Sequence, residues 1–421
     1  MTQTISILIF VFVIVAIVSE KIHRTAAASA GAVALLLFHI LDIKKSISYI
    51  DFNTIGVLVG MMVFVAVIKC SGLFEYISIK TAKMAKGDPW KIMFMFTIVT
   101  AVLSAFLDNV TTVLLIGPMI ISITGILKLN PVPFLLIQIM ASNIGGTATL
   151  IGDPPNIMIG SAAKFGFLDF LINTGPAVII IMMSLILMAK VMYGDKMKAG
   201  EDAIKEVMAL DEKKAIVDVP LLAKSIIMIF AVIGGFMFHS LINVESSVVS
   251  LAAAVIMLLI GRQNVEDIIE DVEWPTIIFF MALFVVVGGM VETGVIDRLA
   301  KIILSLTSGH AILTMVVLLW SSALLSSILD NIPFVATLIP LIMAMSEAGV
   351  NVTPFWWAIS LGACLGGNGT LIGASANVVL CGISGRHGHP ITFTQFLKVG
   401  LPVMTVSIMI STVYLLIRYS V

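Results

Sequence analysis

The sequence predicts an all-α polytopic membrane protein built from two inverted repeats. Each repeat is predicted to have five transmembrane helices, one of them broken, and one re-entrant hairpin. Of the 421 residues, 59% are apolar and only 12% are charged, whereas a soluble domain carries roughly 25% charged residues. Apolar stretches of about 20 residues, the length that spans a bilayer, recur along the chain. Two motifs of the first half also recur in the second half.

Twelve apolar stretches follow one another, six on each side of a charged segment. The spans predicted from them are 3–19, 25–42, 53–69, 91–127, 133–163, 170–192, 221–241, 247–261, 275–292, 311–346, 353–381 and 396–417. The segment between the two sets, 194–219, is charged and poor in aromatic residues, which predicts a partly helical, soluble linker. The chain therefore divides into a first repeat over 1–193, the linker, and a second repeat over 220–421.

Two motifs relate the halves to each other. Ser104–Pro118 matches Ser326–Pro340 with six identities in fifteen positions, at an offset of 222. The twelve residues from Gly145 match those from Gly366 with seven identities, at an offset of 221. Homologous halves joined by a polar linker are the plan of many secondary transporters.

Each half contains one stretch that is too long for a single helix and has Asp-Asn at its centre. Non-helical backbone is tolerated at membrane depth only where it is buried in protein or lines a cavity. We therefore predict re-entrant hairpins over 91–127 and 311–346, with their tips at Asp108 and Asp330.

The stretches 133–163 and 353–381 each contain a glycine pair, and glycine lets the backbone unwind and approach a ligand closely. We predict that both helices are broken there and that the glycines act as backbone hinges. These glycines are Gly145, Gly146, Gly366 and Gly367. Each half then crosses the membrane five times, and because five is odd, the repeats must be inverted relative to each other.

Lysine and arginine indicate the orientation, because they are enriched in cytoplasmic loops. In this topology 18 of the 24 lie on the side of the linker. The six on the opposite side are Lys44, Lys45, Lys164, Arg298, Lys301 and Arg418. We therefore expect a cytoplasmic linker at 194–219, both termini outside, and a location in the plasma membrane, which is the inner membrane of a bacterium.

Four motifs carry a resemblance to a known family. They are LDNVTTVLLIGP, SNIGGTATLIGDPPN, LDNIPFVATLIP and GACLGGNGTLIGASANVV. Together they resemble the ArsB/NhaD permease family of the ion transporter superfamily, and most closely its P-protein (pink-eyed dilution) branch. The resemblance covers nearly the whole chain. It implies the divalent anion/Na⁺ symporter-like fold, an elevator-like transport step and a homodimer.

The same resemblance implies a range of functions. We expect an ion-coupled secondary transporter for a small inorganic or anionic solute, with arsenite or antimonite efflux in exchange for protons as the leading hypothesis. One alternative is Na⁺/H⁺ antiport or Na⁺-coupled transport of di- or tricarboxylates such as citrate. An alternative of a different class is a passive chloride channel. An arsenical pump would also call for an ATPase subunit as partner.

Three aspartates are the predicted centre of the site. An ionised aspartate at mid-membrane costs at least ~2.5–3.5 kcal/mol, so Asp108 and Asp330 are predicted to bind the coupling ion, H⁺ or Na⁺. The alternative, compatible with the first, is that each caps the following helix. Asp153 has Ala374 as its counterpart. It is either a third titrating group or a turn residue before Pro154.

Neutral polar side chains complete the predicted substrate and ion site. They are Asn109, Thr111, Thr112, Asn143, Thr147, Thr149, Asn156, Asn331, Asn368, Thr370, Ser375 and Asn377. Half-helix N-termini at the breaks would direct positive dipoles at a bound anion or polar solute. The alternative for these small residues is close helix packing. No lysine or arginine lies within the motifs, which favours a neutral solute such as As(OH)₃, or a monovalent anion, over citrate.

Other classes of function are disfavoured. No nucleophile–base pattern indicates an enzyme, and three widely spaced cysteines predict neither disulfides nor a structural metal. Cys364, beside the second break, is expected to be an apolar filler, with ligation of As(III) as the alternative. A net charge of −1 gives no basic surface for nucleic acid. We expect no cofactor besides the coupling ion, with Na⁺ near Asp108 and Asp330 as the one metal considered.

Overall fold

A computed structural model describes residues 2–19, 21–194, 197–306 and 310–419. Every regular element within these ranges is a helix, and they contain no strand. Eight of the described helices are long and apolar enough to cross a membrane. The predicted all-helical, multi-pass membrane fold is therefore confirmed.

Eleven helices are described before the linker. They are α1 (Thr2–Val18), α2 (Arg24–Leu37), α3 (Ile43–Tyr49), α4 (Phe52–Lys69), α5 (Leu73–Met84), α6 (Pro89–Phe106), α7 (Asn109–Ile126), α8 (Val132–Gly146), α9 (Pro154–Ala163), α10 (Phe167–Asn173) and α11 (Gly175–Tyr193). The linker contains α12 (Glu201–Ala209) and a 3₁₀ turn (Glu212–Ala215). Its residues 195–196 lie outside the described ranges.

Ten helices are described after the linker. They are α13 (Val219–Phe238), α14 (Ser246–Gly261), α15 (Val265–Glu270), α16 (Trp274–Glu292), α17 (Val295–Leu306), α18 (Ala311–Ile328), α19 (Asn331–Glu347), α20 (Thr353–Gly366), α21 (Ser375–Arg386) and α22 (Phe393–Tyr419). From α2 and α14 through α9 and α21, each helix begins 221 or 222 positions after its counterpart. One long helix, α22, stands where the first half has α10 and α11. The offset seen in two motifs thus extends over eight pairs of helices.

The helices pack into two groups. The scaffold group consists of α1–α4 and α13–α16, in which α4 packs along α14 and α2 packs along α16. The hairpin group consists of α6–α11 and α18–α22, in which α6 packs along α8 and α18 packs along α20. Two further helices, α5 and α17, connect the groups, because α5 contacts α6 and α7 while α17 contacts α19.

The two predicted hairpins correspond to α6–α7 and α18–α19. In each, two packed helices are joined by a leucine and an aspartate, Leu107-Asp108 and Leu329-Asp330. Each first helix is 18 residues long, which is enough to cross the membrane. Re-entry from one side therefore remains a prediction.

The predicted breaks lie at the glycine pairs. Helix α8 ends at Gly146 and α20 ends at Gly366, and neither resumes until α9 and α21 begin. A Cβ at Gly145 would collide with the backbone of Ala101, and one at Gly366 would collide with the backbone of Ala323. None of the four glycines has a positive φ. Close packing therefore explains these glycines directly, and their role as hinges remains a prediction.

Candidate functional site

Two asparagines hold the backbone of the breaks. The side-chain amide of Asn156 donates to the carbonyl oxygens of Thr149 at 2.9 Å and Thr147 at 3.3 Å. The amide of Asn377, its counterpart, donates to the carbonyl oxygens of Gly367 at 2.7 Å and Thr370 at 2.9 Å. Because both asparagines are fully buried, these bonds satisfy carbonyl groups that the interrupted helices leave unpaired.

Each break is also held by the opposite half. Asn143 of the first half donates from Nδ2 to Oδ1 of Asn377 at 3.0 Å and of Asn368 at 2.9 Å. Its counterpart is Cys364, whose thiol donates to Oδ1 of Asn156 at 3.5 Å. The thiol thus has a polar contact, and Cys364 is more than an apolar filler. Each break is thus held in place by hydrogen bonds from the other half of the protein.

The tips of the two hairpins lie beside the two breaks. Asp108 accepts hydrogen bonds from the backbone N–H of Thr111 at 2.8 Å and from its hydroxyl at 2.5 Å. Asp330 accepts a longer bond of 3.5 Å from the N–H of Ile332. Both aspartates therefore cap the helix that follows, as in the capping alternative, and Asp330 does so weakly.

Asp153 connects the first break to the second hairpin. Its side chain is fully buried, and the amide of Asn331 donates to both of its carboxylate oxygens, at 3.2 and 3.3 Å. Asp153 stands at the N-cap of α9 but makes no side-chain bond to that helix. The carboxylate is thus directed at the tip of the opposite repeat, which speaks against a simple turn role.

A basic residue from outside the repeated motifs reaches the site. Arg24, at the start of α2, donates from Nη1 to Oδ2 of Asp330 at 2.8 Å and to the hydroxyl of Ser375 at 2.5 Å. From Nη2 it donates to Thr276 at 3.1 Å, and the guanidinium lies 5.2 Å from the ring centre of Phe279. The motifs themselves contain no lysine or arginine, but the fold brings Arg24 to the aspartate and the serine of the second repeat.

No sequence signal distinguishes Arg24 from an ordinary arginine that flanks a membrane span. Its side-chain partners are 252, 306 and 351 positions away in the sequence. Only the packing of α2 along α16 and the convergence of the second repeat bring these groups together.

A cavity of about 20 Å³ lies between the tips and the first break, which is the size of one water molecule or ion. Its polar lining residues are Arg24, Asp108, Asn109, Asp153, Glu273, Thr276, Asn331 and Ser375. Glu273 was not predicted; it precedes α16 and accepts from the hydroxyl of Thr276 at 3.1 Å. Beside this cavity is a groove of about 300 Å³, lined by His23, Arg24, Asp330 and Ser375 between apolar side chains.

The remaining predicted residues support the backbone. Thr147 donates to the carbonyl of Asn143 in its own helix at 2.7 Å. Thr149 and Thr370, which are counterparts, donate to the carbonyl oxygens of Ala105 and Ser327 at the ends of α6 and α18. These hydroxyl groups fix each break to its own hairpin.

Two predicted polar groups are buried and unpaired among the described residues. They are the hydroxyl of Thr112 and Nδ2 of Asn368. Asn109 donates to Oδ1 of Asn143 at 3.2 Å and so joins the first tip to the central amides. The structure thus gathers the aspartates and part of the amide set around the cavity, while the threonines lie behind it.

The chain matches the family model described as a citrate transporter, CitMHS, over residues 14–362. An uncharacterized transporter of Mycobacterium tuberculosis is 40% identical over 427 residues, which cover 100% of this chain and 99% of that protein. The P protein of Homo sapiens is 33% identical over 99% of this chain, which spans 60% of the length of the P protein.

Two solved structures share the fold. The YdaH transporter of Alcanivorax borkumensis superposes with a TM-score of 0.59 at 14% identity, over 90% of each chain. MtrF of Neisseria gonorrhoeae, described as one of a class of antimetabolite efflux pumps, superposes with a TM-score of 0.58 at 12% identity, over 99% of this chain and 94% of that one.

These matches identify a multi-pass membrane transporter and not an enzyme, as predicted. The P-protein resemblance is supported by the human relative, whereas the matching family model is not that of the ArsB/NhaD group. The chain belongs to the CitMHS citrate transporter family.

Proposed function

We propose that this protein is a cation-coupled secondary transporter that binds its coupling ion, H⁺ or Na⁺, at the aspartates where the two repeats meet. The observation that carries this proposal is the convergence of acidic groups around an ion-sized cavity. Asp108, Asp153 and Glu273 line it, and Asp330 lies beside it in contact with Arg24 and Ser375. Intramembrane acids are costly and are usually retained for function.

Asp153 is the one of the three aspartates that can hold the coupling ion while Arg24 still pairs with Asp330. The carboxylate of Asp108 caps α7, and the carboxylate of Asp330 forms an ion pair with Arg24. Asp153 is fully buried and is contacted by an amide, and no ion pair to it is found in the described ranges. A buried carboxylate without a counter-ion favours either a proton or a bound cation.

We propose that the transported solute is a small anion, with a citrate-like carboxylate favoured over arsenite. The preference for a neutral solute depended on the absence of a basic residue, and Arg24 supplies one. A guanidinium binds carboxylates through two parallel hydrogen bonds. The family description names citrate as well. Arsenite efflux, with its ATPase partner, remains the alternative, although the thiol of Cys364 already contacts Asn156.

We further propose that the hairpin group moves against the scaffold group as an elevator, within a homodimer. The division of the helices into two groups that share few contacts supports such a motion. The inverted orientation of the repeats, the cytoplasmic linker at 194–219, the external termini and the location in the plasma or inner membrane belong to the same proposal. So do the repeat bounds 1–193 and 220–421.

A transport panel in proteoliposomes tests this function. Purified protein is reconstituted, and uptake of citrate, succinate, arsenite, chloride and Na⁺ is measured with and without a pH or Na⁺ gradient. The proposal predicts accumulation of one organic anion above its equilibrium level, driven by one of the two gradients. Arsenite accumulation would favour the alternative, and no gradient-driven flux of any solute would contradict the proposal.

The second candidate is a passive anion channel, for which Arg24 in the groove of about 300 Å³ would also be the anion-binding group. Chloride flux that follows its own gradient, unaffected by pH or Na⁺ gradients, is the expected sign of such a channel. In the same vesicles a coupled transporter would move chloride no faster than protein-free vesicles do.

A further inference from the structure

We propose that Arg24 exchanges partners during transport. In the empty site it pairs with Asp330, and once a cation neutralises Asp330 it binds the transported anion. This inference rests on the proposed function, which it deepens by assigning a binding order. The cation must bind first, because the guanidinium is otherwise occupied.

The ion pair joins the two groups of helices. Arg24 belongs to α2 of the scaffold group, whereas Asp330 is the tip of the second hairpin, and Nη1 and Oδ2 are 2.8 Å apart. The side chains are only 27% and 12% exposed, so water screens the pair incompletely. Removing one charge of such a pair leaves the other uncompensated. A neutralised Asp330 would therefore leave the guanidinium without its ion-pair partner and able to bind another anion.

Ser375 places a second anion-binding element at the same point. Its hydroxyl donates to Oδ2 of Asp330 at 2.7 Å and accepts from Arg24. Ser375 is also the first residue of α21, a twelve-residue helix with no side-chain cap. The N–H groups and the dipole at a helix N-terminus favour an anion. An anion that replaces Asp330 at the guanidinium would thus meet both elements.

Space for that anion exists beside the pair. The polar lining residues of the groove of about 300 Å³ are His23, Arg24, Asp330 and Ser375. The cavity of about 20 Å³ is lined by Arg24 and Ser375 as well. The smaller space has the size of a cation and the larger the size of a small organic anion. Arg24 lies on the boundary between the two.

Two neighbours would keep Arg24 in place when Asp330 releases it. Thr276 accepts from Nη2 at 3.1 Å, and the ring of Phe279 lies under the guanidinium at 5.2 Å. Both residues are on α16 of the scaffold group, so they do not leave with the hairpin. A cation–π contact adds about 0.5–2 kcal/mol, depending on desolvation.

The arrangement exists in one repeat only. At an offset of 222 the counterpart of Arg24 is Ser246, and at an offset of 221 the counterpart of Ser375 is Pro154. Asp108 therefore has no equivalent arginine or serine. The two tips are chemically unequal, and the exchange of partners is assigned to Asp330 alone.

The variant Asp330→Asn gives the sharpest test, because a gain of function is expected. Purified protein is titrated with citrate, with and without the coupling cation, and thermal stabilisation reports binding. The wild type should bind citrate only when the cation is present. Asp330→Asn should bind it without the cation, within about threefold of the saturated wild-type affinity, because Arg24 is already free. A persistent need for the cation in this variant would overturn the proposal.

Arg24→Gln should bind citrate at least tenfold more weakly at saturating cation, and Arg24→Lys should lie between it and the wild type. Arg262→Gln, an exposed position at the end of α14, is the matched control and should bind as the wild type does. An unchanged citrate affinity in Arg24→Gln would refute the exchange. If the Gln variant does not fold, Arg24→Lys, which keeps the charge and loses the planar fork, decides instead.

The outcomes separate this inference from the proposed function. If the transport panel finds another anion, that anion replaces citrate as the probe. If the wild type moves no solute with a gradient, the proposed function and the exchange are both wrong. If the wild type is a coupled transporter while Asp330→Asn still requires the cation, only the exchange is wrong.

Discussion

Asp153 differs from the other two aspartates of the site in the groups that its carboxylate contacts. The amide of Asn331 donates to both of its oxygens, whereas Asp108 is paired with its helix N-terminus and Asp330 with Arg24. The sequence identified Asp153 because the equivalent position of the second half is Ala374. It left open whether the residue is a turn former, and the contact across the repeats favours a role in the site.

We predict that Asp153→Asn abolishes coupling while the fold persists. Asparagine has nearly the same shape and keeps an oxygen for the amide of Asn331, but it carries no charge and takes up no proton. Gradient-driven uptake should fall at least tenfold, which corresponds to about 1.4 kcal/mol. The exposed Asp202→Asn in α12 is the control. Uptake by Asp153→Asn at the wild-type rate would remove this residue from the coupling site.

Cys364 has a polar role that its residue type alone does not suggest. It is the counterpart of Asn143 and holds the opposite break as that residue does, although a cysteine in an apolar stretch suggests a filler. We predict that Cys364→Ala lowers the free energy of unfolding by about 1–3 kcal/mol, through the lost bond and the void. Cys364→Ser keeps a donor and should restore part of that loss.

The measurement for Cys364 is thermal or denaturant unfolding in detergent, followed by intrinsic fluorescence. Cys381→Ala, at a buried position on α21, is the control for loss of a buried thiol. Equal destabilisation by the Ala and Ser variants at Cys364 would show that the bond to Asn156 contributes little.

At the scale of elements, the glycines at the two breaks have a different role from the one that the sequence pattern predicts. A glycine pair predicts conformational freedom, yet none of the four has a positive φ. Gly145 is needed because α8 lies against the backbone of α6, and Gly366 because α20 lies against α18 in the same way. Interhelical distances of this kind do not follow from a single sequence.

We predict that Gly145→Ala destabilises the protein by about 1–3 kcal/mol, since its methyl group would overlap the backbone at Ala101. Gly125→Ala in α7 is the matched control, because nothing lies within 4 Å of its added Cβ. That control should be neutral or stabilising by a few tenths of a kcal/mol to about 1 kcal/mol. Thermal unfolding of both variants tests this, and similar melting temperatures would contradict it.

The linker is attached to the connecting helix α5. Lys83 donates to Glu212 at 2.5 Å and to the carbonyl of Leu210 at 3.0 Å, and the N–H of Val217 donates to the carbonyl of Ser71 at 3.1 Å. The hydrogen bond from Lys83 lowers the pKa of Glu212 from its ordinary value of 4.5. The sequence predicts the linker only as a soluble segment. In the structure, defined hydrogen bonds hold it against α5 and the residues before that helix.

Because its folded-state pKa is lowered, Glu212 contributes stability above its ordinary pKa of 4.5, and this contribution is lost as the pH falls through the lowered value. We predict that the protection factors of the amide hydrogens of 197–219, which are corrected for the intrinsic pH dependence of exchange, decrease below about pH 4.5 in the wild type. In Glu212→Gln the exchange should be faster at neutral pH already, relative to the exposed-residue control Glu206→Gln. Identical exchange in the wild type and Glu212→Gln at pH 7 would refute this contribution.

At the scale of the whole molecule, the sequence predicts the fold well because the second half repeats motifs of the first half. Two motifs at offsets of 222 and 221 are enough to predict the hairpins, the breaks and their pairing, and eight pairs of helices keep that spacing. The candidate site is predicted less completely. Its aspartates and most of its asparagines lie inside the repeated motifs, whereas Arg24 and Glu273 come from elements outside them. Only tertiary packing brings these two residues to the cavity.

The most direct test of the proposed coupling is the accumulation ratio of citrate, or of the anion found by the panel, in proteoliposomes with an imposed H⁺ or Na⁺ gradient. The wild type should concentrate the anion several-fold above equilibrium only while the gradient lasts. The triple variant Asp108→Asn, Asp153→Asn and Asp330→Asn should reach equilibrium and go no further, whatever the gradient. Accumulation by the triple variant to the wild-type ratio would contradict the assignment of cation coupling to these carboxylates.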